Sequence, residues 1–190
     1  AGVEGNAACA GDPPQWLETA TGWNSLAHVA GTINSIIVFN QPLKPEALVR
    51  SLMTITEGKT AALTELGISS RYSQDLATGT GTDQVCVAAP AIEDRYAYTA
   101  ANPHSKLGEL IGCAVRAATK QALRWQNGLE PSHTRSVVHA LRRVGFSEAA
   151  FLESMKSRLS ESSLRLLDKN RNAILYEPQV AAAAYAFASV

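Results

Sequence analysis

The segment with the clearest chemical potential is ATGTGTD, at residues 77–83. Two glycines alternate with threonines, and a carboxylate, Asp83, closes the run directly before an apolar stretch. Glycine lets backbone N–H groups approach a ligand closely, and threonine hydroxyls add further donors. Such a loop can hold an oxyanion or a polar ligand edge, and the alternative is a tight turn whose aspartate bonds its own backbone. The predicted substrate contacts in this loop are Thr78, Gly79, Thr80, Gly81 and Thr82.

A second candidate segment, TEGKT at residues 56–60, lies inside a predicted helix. Lys59 falls in the centre of the apolar stripe of that helix, whereas Glu57 falls on the opposite face. A charge in an apolar stripe is costly unless it is paired or reaches water. Lys59 therefore either extends to solvent or meets a carboxylate, for which Asp83 is the candidate. Gly58 costs about 1 kcal/mol relative to alanine in mid-helix, which predicts close approach of another element there.

A third candidate segment, PHSKLGELIG at residues 103–112, begins another predicted helix. His104 sits where first-turn N–H groups and the helix dipole favour an anion. A neutral imidazole there can act as a general base or polarise a carbonyl, and the alternative is a capping or surface histidine. Ser105 is a candidate substrate contact beside it. The other histidines lack such a context and are interpreted as structural or exposed: His28, His133 and His139.

Two short apolar runs predict the strands that position these segments. Residues 31–39 (GTINSIIVF) end in consecutive β-branched residues, which favours a strand buried on both faces. Residues 84–89 (QVCVAA) predict a second strand directly after the threonine-rich loop. The first thirty residues contain glycine and proline between polar residues and are predicted to form loops rather than regular structure.

Long helices follow each predicted strand. Pro45 and Pro103 precede apolar stripes of helical period, and Gly67 and Gly128 end them. The chain after residue 128 is predicted to be helical throughout. The order of elements predicts an α/β or α+β fold, with a mixed sheet flanked by helices and a helical C-terminal portion. We predict one domain over residues 1–190, with residues 129–190 as its helical subregion.

Composition excludes several classes of partner. The chain has 190 residues with 17 basic and 17 acidic side chains, so it lacks the positive charge that nucleic acids and anionic membranes attract. No apolar run reaches the roughly 18 residues of a membrane span, and no signal peptide is recognisable. A small molecule is the expected partner, in the cytoplasm. The cysteines lack metal-ligand spacing, and two of them are predicted to be core residues in a reducing compartment; these two are Cys86 and Cys113.

Taken together, these segments resemble the adenosylcobinamide amidohydrolase family. Five stretches occur in the family's order and cover most of residues 1–128. They read AGVEGNAACAGDP (1–13), GTINSIIV (31–38), ALVRSLMTITEGKTAALTELG (47–67), ATGTGTD (77–83) and HSKLGELIG (104–112). Mild departures occur at Gly58, where the family pattern has alanine or similar, and at Ser105, where it has threonine.

The resemblance implies hydrolysis of the amide that joins aminopropanol to the corrin ring, yielding adenosylcobyric acid during corrinoid salvage. The corrinoid is then the substrate and brings its own cobalt, so no protein-bound metal or cofactor is expected. At the matched positions, acid–base candidates are Asp83, His104 and Glu57, with Lys59 as an orienting group. Further polar contacts are predicted from Asn6, Asp12 and Asn34. We expect the loop ending at Asp83 and the helix beginning near His104 to converge on one polar cleft.

Family members also resemble one another in a segment before AGVEGNA that includes a Thr-Ala-Ala stretch, which this chain lacks. If catalytic groups reside in that segment, this chain is expected to obtain them from a homo-oligomer or a second chain, and the alternative is that the segment was lost to truncation or disorder. Two alternatives stay open. The first is a self-processing amidase or aminopeptidase with an N-terminal nucleophile, because the NQPL turn at residues 40–43 resembles such enzymes. The second is a module that binds the corrinoid without hydrolysing it.

Overall fold

The computed structural model describes residues 1–25 and 30–189. It divides the chain into two compact units, Ala1–Gly128 and Leu129–Val190. Helices predominate over short strands, which confirms the predicted α/β class. The first unit contains the strands and both long helices, and the second is helical throughout its described residues.

The strands of the first unit are β1 (Ala7–Ala8), β2 (Trp16–Thr19), β3 (Gly22–Ser25), β4 (Asn34–Val38), β5 (Gly79–Thr80) and β6 (Gln84–Ala88). Within the described residues they form three two-stranded sheets rather than one mixed sheet. The pairs β1–β5 and β2–β3 are antiparallel, and β4–β6 is parallel. The prediction that the first thirty residues lack regular structure is wrong, because β2 and β3 form a hairpin there.

The long helices are α1 (Pro45–Glu65) and α2 (Lys106–Asn127). Pro45 opens α1, where its missing N–H is not needed. Gly67, with φ 62°, follows the end of α1, and Gly128, with φ 63°, ends α2 in the left-handed region that favours glycine. The Ser105 hydroxyl caps α2 by accepting a hydrogen bond from the Gly108 N–H at 3.0 Å.

Both helices cover the same face of the β4–β6 sheet. A buried cluster joins them to the sheet, and its fully or nearly fully buried members include Phe39, Ile55, Ile111 and Val115. The helices approach closely at Gly58, where an added Cβ would lie 3.3 Å from the Cβ of Val115. The close approach predicted at this mid-helix glycine is therefore confirmed.

The other face of the β4–β6 sheet is open among the described residues. Ile36 and Val38 are each 76% exposed, although parallel strands are usually covered on both faces. The prediction that this strand is buried on both faces is therefore wrong. Cys86 shares the open face and Cys113 lies on the outer side of α2, so both cysteines are exposed rather than in the core.

The second unit consists of α3 (Pro131–Thr134), α4 (Val137–Leu141), a 3-10 turn (Arg142–Val144), α5 (Glu148–Lys156), α6 (Glu161–Leu175) and α7 (Pro178–Ala188). Its core joins α4, α6 and α7 through Val137, Ala140, Leu175 and Ala184. His139 is buried in this unit, whereas His133 is exposed; His28 lies outside the described residues. In the part of the chain that the structure describes, no helix combines the length and apolarity that crossing a bilayer requires.

Candidate functional site

Asp83 organises the threonine-rich loop. Its Oδ1 accepts hydrogen bonds from the Ile33 N–H at 2.9 Å and from the Thr80 hydroxyl at 2.5 Å. Its Oδ2 accepts from the Thr80 N–H at 3.1 Å and from the ammonium of Lys59. Among the described residues, four donors thus surround one carboxylate. Because these donors occupy the acceptor sites of both carboxylate oxygens, Asp83 positions the loop and has little capacity left to bind a ligand.

The predicted pairing of Lys59 with Asp83 is confirmed. The two side chains form an ion pair in which only 10% and 13% of their surfaces are exposed. This pair explains how a lysine can occupy the apolar stripe of α1. Glu57 is exposed, as expected for the opposite side of the helix, and it takes no part in the pair.

Gly79 is required by the approach of the loop to this ion pair. An added Cβ at this position would lie 2.4 Å from Oδ2 of Asp83 and 2.7 Å from Nζ of Lys59. The same residue pairs with Ala8 in the short β1–β5 ladder, which ties the loop to the N-terminal segment. A side chain at this position would displace either the ladder or the ion pair.

A cavity of about 230 Å³ lies beside the loop. Four of its lining residues were predicted as substrate contacts: Asn6, Asp12, Gly81 and Thr82. Asn6 is buried and fixed at both ends of its amide, since its Nδ2 donates to the Gly31 carbonyl at 2.9 Å and its Oδ1 accepts from the Tyr72 hydroxyl at 2.8 Å. The structure therefore brings the N-terminal segment and the threonine-rich loop together around one polar space.

Asp12 is the carboxylate that lines this cavity. Its Oδ2 accepts from the Cys9 N–H and from the Ser70 hydroxyl, each at 2.6 Å. Burial by itself raises the pKa of the Asp12 carboxyl, but hydrogen bonds from Ser70, Ser73 and the Cys9 backbone outweigh it, and the pKa is lowered. Asp12 is consequently ionised at neutral pH.

Cys9 also lines the cavity, but its thiol is poorly suited to act as a nucleophile. Burial raises the pKa of this thiol, and the negative charges of Asp12 and Asp75 raise it further. Because the thiolate is the reactive form of cysteine, Cys9 is held in its less reactive state. The acidic surroundings therefore disfavour nucleophilic attack by this residue.

The loop's N–H groups are not all available to a ligand. The Thr78 N–H donates to the Ala8 carbonyl at 2.9 Å, and the Thr80 N–H is used by Asp83. Gly81 and Thr82 line the cavity, and the Thr82 N–H makes only a long 3.4 Å contact with the Thr80 hydroxyl. The predicted oxyanion site therefore narrows from five residues to Gly81 and Thr82, while Thr78, Gly79 and Thr80 build the loop behind them.

The expectation that His104 and Asp83 share one cleft is wrong. Asp83 lies at the amino edge of the parallel strands, where it binds the Ile33 N–H just before β4. His104 is exposed, and Leu107 in the first turn of α2 packs on the cluster that contains Phe39, just after β4. The two segments therefore lie at opposite edges of a sheet whose five-residue strands span roughly 16 Å.

Ser105 and Asn34 also lie away from the loop's cavity. The Ser105 hydroxyl donates to the Asn102 carbonyl at 2.8 Å while capping α2, which gives it a structural role. Asn34 is exposed at the start of β4 and lines a different groove, of about 390 Å³, between β4 and α2. Its side chain points to the open face because alternate strand residues face opposite sides.

Sequence reasoning missed part of the cavity wall. Gln15, Trp16 and Tyr72 line it in addition to the predicted residues. Tyr72 follows a turn with no sequence motif, and it reaches the cavity because the Arg71 N–H donates to the Ala7 carbonyl at 2.9 Å. The pairing of this segment with the N-terminal region has no local signal in the sequence.

Within the described residues, no group of three or more His, Cys, Asp or Glu side chains lies close enough together to hold a metal ion.

A family model described as adenosylcobinamide amidohydrolase matches residues 1–131. An uncharacterised protein of Methanocaldococcus jannaschii is 40% identical over 101 residues, which are 53% of this chain and 38% of that protein. The match thus spans well under half the length of this relative. No solved structure matches the chain.

Proposed function

Because the chain belongs to the adenosylcobinamide amidohydrolase family, we propose that it hydrolyses the aminopropanol amide of adenosylcobinamide. In this reaction water adds to the amide carbonyl, the C–N bond breaks, and a proton passes to the departing amine. The products are adenosylcobyric acid and 1-amino-2-propanol. The reaction belongs to corrinoid salvage, and we place it in the cytoplasm.

The family match is the observation that carries this proposal. The matched range, residues 1–131, contains the threonine-rich loop and every residue of the cavity beside it. We therefore assign the activity to the unit Ala1–Gly128 and the binding of the amide side chain to this cavity. The cobalt ion is part of the substrate, and we propose no resident cofactor.

The cavity offers groups for two requirements of amide hydrolysis. The N–H groups of Gly81 and Thr82 are suited to stabilise the oxygen that becomes negative as water adds. The ionised carboxylate of Asp12 is suited to accept a hydrogen bond from the attacking water. Its low pKa makes it a weak base, so its main contribution is to orient the water and stabilise developing positive charge.

Lys59 and Asp83 support this site from behind. Their ion pair fixes Thr80 and the turn that follows it, so that the loop's remaining N–H groups are oriented before substrate binds. Preorganised donors avoid a reorganisation cost at the moment of reaction. We therefore assign both residues a positioning role rather than acid–base chemistry.

The test is incubation of the purified chain with adenosylcobinamide, with release of 1-amino-2-propanol and adenosylcobyric acid followed by mass spectrometry. We expect Asp12→Asn to lower kcat roughly tenfold, because the neutral amide still accepts a hydrogen bond from the water but loses the charge that strengthens it. Glu46→Gln, an exposed carboxylate in the first turn of α1, is the matched control and should retain full activity.

The same measurements separate the alternatives. Tight corrinoid binding without release of aminopropanol would overturn the hydrolase proposal in favour of a binding module. An intact mass that reveals an internal cut exposing serine or threonine would favour a self-processing amidase instead. Hydrolysis that is unchanged in Asp12→Asn would leave the activity standing but remove the assigned site.

A further inference from the structure

The β2–β3 hairpin presents two indole rings on one of its faces. In the register of the hairpin, Glu18 stands opposite Trp23, and residues directly opposite each other in antiparallel strands share a face. Trp16 is two residues before Glu18 and therefore lies on that same face. We call the surface formed by Trp16, Glu18 and Trp23 the tryptophan face.

More than half of the surface of each tryptophan on this face is left open by the described residues. Trp16 is 55% exposed and Trp23 is 68% exposed, although indole is among the most favourable side chains to bury. All four residues of β2 are exposed, so the hairpin has no core of its own. An isolated two-stranded hairpin is marginally stable in water, and a ligand that covers its apolar face would stabilise it.

The tryptophan face adjoins the candidate active site. Trp16 lines the cavity together with Asp12 and Tyr72, so the hairpin forms part of the cavity rim. At about 230 Å³ the cavity is smaller than the pockets that enclose drug-sized ligands, which usually begin near 300 Å³. It can hold an amide side chain, but a macrocycle attached to that side chain must rest on the surface outside.

We propose that the tryptophan face is the platform on which the corrin macrocycle of the substrate stacks while its amide side chain enters the cavity. This inference rests on the proposed function and adds the place where the larger part of the substrate binds. Indole rings bind the conjugated and apolar parts of such a macrocycle through stacking and burial of apolar area. The Glu18 carboxylate, which neighbours both tryptophans on this face, can accept hydrogen bonds from the peripheral amide groups of the ligand.

The experiment measures KM for adenosylcobinamide and, by equilibrium dialysis, the Kd of adenosylcobyric acid, the product that keeps the macrocycle and is not hydrolysed. In Trp16→Ala and Trp23→Ala we expect the Kd and KM to rise roughly tenfold each, with kcat within about twofold of wild type, because each loses one stacking contact. Trp16→Phe and Trp23→Phe keep an aromatic ring and should recover part of the affinity. Leu17→Ala, on the opposite face of the hairpin, is the matched control and should bind like wild type.

Tryptophan fluorescence adds a second readout. The chain has three tryptophans, and Trp125 lies on α2 with 80% of its surface exposed. In Trp125→Phe the remaining emission comes from the hairpin, and we expect adenosylcobinamide to quench it, whereas emission from Trp125 alone in Trp16→Phe/Trp23→Phe should change little. Far-ultraviolet circular dichroism confirms that each variant is folded.

The outcomes distinguish this inference from the function it rests on. If wild type hydrolyses the substrate and both alanine variants match it in Kd and KM, the stacking platform is refuted while the activity stands. If wild type releases no aminopropanol but the variants lose binding, the activity is refuted while the platform stands. Equal loss of affinity in Leu17→Ala would show that the hairpin acts only through its folding, and would also overturn the platform.

Discussion

Replacing Asp83 with asparagine tests whether the buried ion pair holds the threonine-rich loop. The substitution keeps the shape of the side chain but removes its charge and turns one acceptor into a donor. Lys59 then stays in the interior without a counter-charge, and at least one hydrogen bond to the loop or to Ile33 N–H is lost. Removing one partner of a buried pair costs about 3–5 kcal/mol.

We expect the lower end of this range, about 3 kcal/mol, because asparagine retains one acceptor and the pair keeps 10% and 13% of its surface in contact with solvent. The assay is urea unfolding followed by tryptophan fluorescence. All three tryptophans lie in the unit Ala1–Gly128, so the signal reports on the unit that contains the pair.

A double-mutant cycle with Lys59→Met isolates the interaction between the two side chains. Because Lys59→Met removes the unpaired charge, adding it to Asp83→Asn should cost much less than it does alone, with a coupling energy of at least about 1 kcal/mol. Glu65→Gln is the matched control, since Glu65 pairs with Arg116 and Lys120 on the surface and should contribute about 1 kcal/mol or less. Additive effects, or a loss in Asp83→Asn no larger than that of the control, would refute the reasoning.

Two further predictions concern the loop and the cavity. Gly79→Ala should destabilise the first unit by about 2 kcal/mol, because its Cβ would overlap the ion pair, whereas Gly112→Ala, which has open space around the same atom in α2, should stabilise it by about 0.5–1 kcal/mol in the same urea assay. Similar effects of the two alanines would contradict the close approach. Because the pKa of Asp12 is lower in the folded than in the unfolded state, the ionised carboxylate stabilises the fold at pH values above the unfolded-state pKa of about 3.9. This stabilisation is lost as the pH falls through the lower pKa of the folded state. The difference in unfolding free energy between wild type and Asp12→Asn should therefore be constant above about pH 5 and shrink below about pH 4, and a difference that stays constant in acid would show that the carboxylate gains nothing from its hydrogen bonds.

The helices of the first unit were predictable because their signals are local. Pro45 and Gly67 bracket α1, and Gly128 ends α2 in the conformation that glycine favours. The pairing of Lys59 with Asp83 was also within reach, since a lysine in an apolar stripe needs a counter-charge. The helix ends depend on residues at those ends. The ion pair depends on the high cost of leaving the Lys59 charge unpaired in an apolar stripe.

The burial of the strands was harder to predict, because the residues of a strand do not show which other elements pack against its faces. Ile36 and Val38 have the apolarity of a strand covered on both faces, yet one face is open among the described residues. The hairpin that carries Trp16 has no buried side, so the alternation of apolar and polar residues that marks a half-buried strand is missing. What lies against a strand is decided by distant parts of the chain.

The separation of His104 from Asp83 follows from topology that the sequence already contained. A residue directly before a parallel strand lies at the amino edge of the sheet, and the helix that follows the strand begins at the carboxyl edge. Asp83 precedes β6 and His104 precedes α2, so the usual βα arrangement favours opposite edges, and the packing of α2 shows that the segment between the two elements does not cross back. Residue chemistry suggested a shared cleft, and the βα connection excludes it.

The placement of charge in the first unit suits a neutral amide substrate. Lys59 and Asp83 neutralise each other behind the loop, and Asp83 holds the Thr80 side chain through a hydrogen bond. Asp12 keeps its charge at the cavity because hydrogen bonds stabilise the ionised form. An uncharged amide gains little from long-range attraction, so its hydrolysis depends on donors that are already in place. Gly79 links these features, because a side chain there would disturb both the ion pair and the donors that it orients.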